Sequence, residues 1–401
     1  MNGSPTAARP ADLAIINLAG VCTGDLSAPL LNVDTISIRD GKVAALGTGI
    51  SPGDDQPVID ARGCTAAPGL IDSHVHTVMG DWTPRQNTIG FLESYAHGGI
   101  TRALSASEVH LPGRPRDPAG VKALALTAHR CFTNLRPGGM TVHGGSLILE
   151  PGLVEEDFAE LAREGVWQAK AGMGNFRPSR DVAPLVRWAQ RHAFKVMCHT
   201  GGESIPDSSP VTAADLLEIR PDVAGHVNGG TTSLPDGDLP SVVDSGIALQ
   251  LCQAGNLRSA LRILDLARQG DALDRVLVAS DTPTGTGMMP LAVIKSLTEL
   301  TSLGDLAAEA AFCLATGNVM RTYGLDAGVL RIGAPADLIL VDAPLSSAAP
   351  DALGAMRRGD LPSIAAVVTD GILRILRSRN TPPPQHMPVV LVHAAPTAPA
   401  P

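Results

Sequence analysis

An α/β fold, built as a (β/α)8 TIM-like barrel with a smaller β-sandwich domain, is predicted by three observations. The middle of the chain alternates short apolar runs with amphipathic helical stretches. This alternation covers roughly 260 residues, a length typical of such a barrel. Both ends of the chain instead carry short strand-like pieces separated by turn signals. Alternating strands and helices imply parallel strands, because parallel neighbours need a crossover rather than a tight turn.

Residues 1–10 are small, polar and Pro-containing, and are expected to form a flexible tail. Strand-like pieces follow at 13–18, 35–39, 43–46 and 58–60, with Asp40-Gly41 as a turn signal between two of them. Residues 337–341 and 365–368 have the same character, and Asp370-Gly371 predicts a hairpin into 372–375. Residues 11–66 and 328–380 are therefore assigned to one composite β-sandwich domain, with 67–327 inserted as the barrel. Barrel strands are expected at 70–76, 145–149, 166–170, 195–199, 223–226, 248–251 and 276–281, and helices at 158–164, 182–192, 213–219, 257–269 and 306–314. Residues 381–401 contain Pro382, Pro383, Pro384 and later Ala/Pro repeats. Proline lacks the donor that helices and central strands require, so this segment too is expected to be a flexible tail.

The chain has 401 residues, 44% of them hydrophobic and only 3% aromatic, so an aliphatic core is expected. The net charge of −9, without a concentrated basic stripe, argues against a nucleic-acid partner. The cysteines Cys22, Cys64, Cys131, Cys198, Cys252 and Cys313 are scattered and are read as buried free thiols. The beginning of the sequence has no basic-then-apolar signal, and no apolar run approaches the ~20 residues of a membrane span. A cytoplasmic protein is expected, with no membrane partner.

The most informative peptide is PGLIDSHVHT at 68–77. Two histidines at i and i+2 on a strand share a face, so His74 and His76 can converge on one metal ion. Four more candidate ligands sit at or just after the ends of other apolar runs, namely Lys170, His199, His226 and Asp281. In a barrel the chemistry sits at the carboxyl ends of the strands, where these residues fall. A buried lysine there is unusual, because its ammonium is costly to desolvate. Cys198 precedes His199 on the same strand and is placed on the opposite face, in the wall behind the site.

The peptide PGLIDSHVHT and this order of residues resemble the amidohydrolase superfamily. Within it, longer stretches resemble the enamidases: GDWTPRQ (80–86), LPGRPRDPAGVKALA (111–125), VHGGSLILEPGLVEEDF (142–158), CHTGGESIP (198–206), HVNGGTTS (226–233), SDTPTGTG (280–287) and SRNTPPP (378–384). The resemblance implies two divalent metal ions. Zinc is expected, and iron or manganese would suit the same donors. It implies that His74, His76 and Asp281 hold one ion and His199 and His226 the other. It further implies that Lys170, carboxylated by CO2, bridges both. A glutamate is expected at the bridging position in enamidases, and Lys170 is this sequence's departure from that pattern; Glu164, at a predicted helix end, is a poor substitute. The resemblance also implies a homo-oligomer, a tetramer, and a small heterocyclic substrate.

The implied reaction is hydrolysis of a cyclic amide by a metal-activated hydroxide, with Asp281 carrying the proton to the leaving nitrogen. Arg85, Arg114 and Arg177 are candidates for a substrate carboxylate, because a guanidinium binds carboxylate through two parallel bonds. His143, Thr200 and Gly201 are candidate pocket residues, together with Gly202. Other cyclic amidohydrolases acting on a hydantoin, imide or lactam remain open, as does a heterocycle deaminase. A non-catalytic assembly protein is the least favoured reading.

Overall fold

The computed structural model describes residues 12–53, 56–76, 91–107, 113–203, 208–230, 232–283 and 289–391. The first portion forms β1 (Leu13–Ile16), β2 (Gly20–Cys22), β3 (Leu30–Leu31), β4 (Thr35–Arg39), β5 (Lys42–Gly47), β6 (Val58–Asp60) and β7 (Thr65–Pro68). The middle runs β8 (Leu70–Val75), α1 (Phe91–Ala96), β9 (Ile100–Ser105), α2 (Pro118–Asn134), β10 (Thr141–His143), β11 (Ser146–Ile148), α3 (Glu155–Arg163) and β12 (Gln168–Ala171). It continues as α4 (Ala183–Arg191), β13 (Lys195–His199), α5 (Ala213–Ile219), β14 (Val223–Gly225), α6 (Leu239–Val243), β15 (Ala248–Cys252), α7 (Leu257–Gln269) and β16 (Val276–Ala279). After α8 (Ala292–Gly304), α9 (Ala308–Leu314) and α10 (Gly317–Tyr323) come β17 (Leu338–Asp342), α11 (Ala352–Arg358), β18 (Ser363–Thr369), β19 (Ile372–Leu376) and β20 (Val389–Leu391).

The two chain ends share two sheets, ordered β20-β6-β1-β4-β5 and β19-β18-β17-β7-β2-β3. One apolar core joins them, with Ile15, Ile36, Ile38 and Ile59 from the first sheet and Val21, Ala66, Leu338 and Leu340 from the second. β7 hydrogen-bonds to β17 across a long stretch of sequence, which ties the start of the chain to its end.

The middle strands are parallel throughout, in the orders β10-β9-β8 and β11-β12-β13-β14-β15-β16. β10 and β11 are separated only by Gly144 and Gly145. A Cβ on Gly144 would sit 2.5 Å from the Phe132 ring, and one on Gly145 would sit 2.7 Å from the Ala125 carbonyl. The glycine pair of VHGGS thus lets α2 lie against the strand break. At the other seam, Val75 and Thr282 form a parallel bridge, and the Asp281 N–H donates to the His74 carbonyl at 2.9 Å. Helices cover the outer faces with apolar residues at helical spacing, as in α7, where Ala260, Ile263, Leu264 and Ala267 are buried.

Three expectations need correction. First, the segment from residue 381 is structured through Leu391. The prolines lack donors, but their carbonyls accept: Ser363 Oγ donates to Pro382 O at 2.7 Å and the Leu345 N–H to Pro383 O at 2.7 Å. Beyond them, Val389–Leu391 pairs antiparallel with Val58–Asp60 as an edge strand. The 1–10 and 392–401 parts of the expected tails lie outside the described residues. Second, β9 was not among the expected strands. Arg102 interrupts its apolar pattern, yet is buried because Asp337 and Asp326 pair with it. Third, Cys131 is exposed on α2, while the other five cysteines are buried.

Candidate active site

β8 carries His74 within the strand and His76 just beyond its end. Period-two alternation turns both imidazoles to one side. Across the seam, Asp281 follows β16, with Oδ1 3.1 Å from His74 Nε2 and 3.2 Å from His76 Nε2. One ligand atom from each of the three lies within 4.8 Å of the other two. Lys170 on β12 is fully buried, its Nζ 3.5 Å from His74 Nε2 and 3.5 Å from Met197 Sδ. At the end of β13, His199 Nδ1 faces His226 Nε2 at 3.1 Å, and the His226 ring centroid is 5.3 Å from that of His74. All six residues expected as metal ligands therefore meet in one cluster. His226 and Asp281 also hold left-handed backbone, at φ 37 and 57.

Burial governs the protonation of this cluster. It pushes the imidazoles of His74 and His199 down to about 4 and that of His226 well below its ordinary value. It lowers Lys170 as well, favouring the neutral amine. A neutral imidazole nitrogen and a carboxylate oxygen 3.1 Å apart present lone pairs to each other. That donor set fits a cation shared between them. Asp72, two residues before His74 on β8, is raised to about 7 by burial, and it accepts from the backbone N–H groups of His74 and Ser280.

A pH effect follows, with its sign set by His74, His199 and His226, which outnumber Asp72, whose raised carboxyl acts in the opposite sense over the same range. His74 and His199 titrate near 4 when folded and near 6.5 when unfolded, so between these values the unfolded chain binds more protons. Metal-free protein should therefore lose stability as pH falls from 6.5 toward 4. The loss is up to about 1.4 kcal/mol per pH unit for each such group. Thermal unfolding in excess chelator across that range measures it; a midpoint that rises on acidification would contradict the assignment.

The remaining candidates separate. Arg114 is buried, its guanidinium ion-paired with the fully buried Glu150 and donating to the Met173 carbonyl at 2.8 Å. A carboxylate partner for Arg114 is thus supplied from within the chain. Replacing Glu150 with Leu strands a buried cation and should destabilise the fold by about 3–5 kcal/mol. Urea denaturation reads this, and Arg114→Leu in the same chain should recover most of the loss. Arg177 is exposed and lines an open cavity of about 380 Å³ between the loops after β12 and β13, and none of the six clustered residues is among its lining. His143 packs at 5.5 Å on Trp167, before β12, so its ring lies toward the opposite end of the strand from Lys170. Arg85 lies outside the described residues.

Thr200 Oγ1 donates to the Cys198 carbonyl at 3.3 Å rather than into the cluster. Gly201 holds φ 100, and a Cβ there would sit 1.7 Å from the Thr232 carbonyl. Close backbone approach is realised one residue later: the Gly202 carbonyl lies 2.7 Å from His199 Nε2. A carbonyl only accepts, so His199 Nε2 carries the proton and Nδ1 faces the cluster. Cys198 belongs to the core outside the strands, as its position beside His199 predicted. Glu164 caps α3 and pairs with Arg130 on the surface, away from Lys170. Not predicted from the sequence is Gln250 on β15, whose Oε1 lies 2.6 Å from His74 Nδ1. Its signal was a lone amide inside the apolar run 248–252.

No family model matches the chain. It is 44% identical over 381 residues to enamidase from Eubacterium barkeri, covering 94% of this chain and 99% of that one. It superposes with TM-score 0.90 on a crystal structure of enamidase, described there as a member of the amidohydrolase superfamily, at 44% identity and covering 95% of this chain and 100% of that one. An imidazolonepropionase from Mycolicibacterium smegmatis is 24% identical over 411 residues, covering 90% of this chain and 96% of that one. Among the described residues, no helix is long and apolar enough to cross a membrane. Identity at 44% across nearly the whole of both chains, with that fold in common, makes this chain an amidohydrolase-superfamily hydrolase belonging to the enamidase family.

Proposed function

We propose that the protein hydrolyses a cyclic enamide of a nitrogen heterocycle, using the pocket at the carboxyl ends of β8, β12, β13, β14 and β16. The observation that carries this reading is the convergence of His74, His76 and Asp281, one ligand atom of each within 4.8 Å of the others. In this reading β8 to β16 close into a (β/α)8 barrel. Support comes from the Val75–Thr282 bridge and from β10 and β11 acting as one strand broken at its glycines. The two terminal sheets form its companion β-sandwich.

His74, His76 and Asp281 would hold one divalent ion and His199 and His226 a second, with Lys170 between them. When bound, such ions supply Lewis acidity and lower the pKa of water, and zinc, iron and manganese all suit these donors. Lys170 is carboxylated in this reading: its buried neutral nitrogen bonds the carbon of CO2 and loses one proton to solvent. The product is an anion carrying two oxygen donors. Asp281 takes the proton from the attacking water and returns it to the ring nitrogen as the C–N bond breaks. The released enamine tautomerises to an imine, and water converts that to an aldehyde and ammonia.

Chelation joined to product analysis tests the reading. Turnover should vanish in excess chelator and return on adding zinc, iron(II) or manganese(II), with ammonia and an aldehyde formed for each ring opened. Ring opening without ammonia would point to another cyclic amide. Full turnover in a chelated, metal-free sample would end the proposal.

A further inference from the structure

Gln250 is fully buried on β15, and neither the reaction nor the ligand set above uses it. Its amide orientation is determined by obligatory partners. Nε2 donates to the Ser73 carbonyl at 3.2 Å and to Ser73 Oγ at 2.8 Å, and a carbonyl can only accept. On the other side, the backbone N–H of His226 can only donate, and it reaches Oε1 at 3.4 Å. Oε1 is thus the oxygen, and it lies 2.6 Å from His74 Nδ1. His74 must then carry its proton on Nδ1. Its Nε2 is left as a bare lone pair turned toward Asp281 at 3.1 Å.

One amide therefore touches both halves of the cluster. Through His74 it reaches the group with His76 and Asp281, and through the His226 backbone it reaches the group with His199. Ser73 anchors it from the strand that carries His74. We infer that Gln250 is a positioning residue, which sets the tautomer of His74 and registers the two ligand groups against each other. The inference rests on the metal-binding reading above. Partners that orient metal-binding imidazoles are commonly worth about 10- to 100-fold in metal affinity.

The experiment titrates zinc into metal-free protein and reads the dissociation constant directly, without turnover. Gln250→Met keeps the length but removes the acceptor, and should weaken zinc by about 10- to 100-fold. Gln250→Glu keeps an acceptor for His74 Nδ1 and should bind more tightly than the Met variant. Ser73→Ala, a smaller change, releases one anchor of the amide and should give a partial loss even if Gln250→Met fails to fold. Native affinity in both Gln250→Met and Ser73→Ala would overturn the inference, as would equal losses in the Met and Glu variants. Native protein that binds no zinc, iron(II) or manganese(II) would instead sink the metal reading itself, and the inference with it.

Discussion

Asp281→Asn is expected to lower kcat by about 10²- to 10⁴-fold, the range associated with a positioned general acid or base. The substitution is close to the smallest that removes the chemistry. Asparagine tolerates left-handed backbone much as aspartate does, so the φ of 57 at this position adds little new strain. The backbone N–H that donates to His74 is retained, and with it the seam between β8 and the end of β16. What disappears is the negative charge 3.1 and 3.2 Å from two imidazoles, together with any capacity to accept a proton from water. Metal content should fall too, because a carboxylate donor becomes a neutral amide. Steady-state kinetics with metal analysis of the same sample checks both effects. Turnover unchanged in the variant would remove Asp281 from the reaction and revive a non-catalytic reading of the fold.

Lys170→Met should cost roughly 10²- to 10³-fold in kcat, equivalent to about 3–4 kcal/mol. The fold should survive, because methionine fills similar space and needs no desolvation of an amine. Lys170→Ala opens room beside His74 and Met197, where a short carboxylic acid can supply the oxygens that the proposed carbamate would provide. Added acetate or propionate should therefore restore part of the activity to the Ala variant and none to the Met variant. Labelled bicarbonate provides an independent readout: active native protein should show a carbamate carbon signal that is absent from both variants. Native activity in Lys170→Met, or fully active native protein with no such signal, would leave Lys170 as an ordinary buried amine.

The outcome for β9 shows why some elements escaped the sequence. Arg102 makes that stretch look unlike a buried strand, and its neutralising partner Asp337 lies 235 positions away, in the segment leading into β17. Arg114 is a similar case in reverse. Its guanidinium suits a substrate carboxylate, and only packing shows that Glu150 already occupies that role. The segment after residue 381 looked unstructured because proline withholds donors. Local pattern could not show that donors from Ser363 and Leu345 would reach its carbonyls.

The sequence by itself determined which side chains could do the chemistry. His74 and His76 share a face because strand geometry has a period of two. Lys170, His199, His226 and Asp281 end apolar runs because a parallel α/β fold presents those ends together. Only the tertiary structure decided how they are held: which nitrogen of His74 is left bare, which carbonyl orients His199, and which arginine is already paired. The physical reason is that ligand type and spacing are local properties of the chain. The tautomer of an imidazole and the partner of a buried charge are set by atoms that only folding brings near.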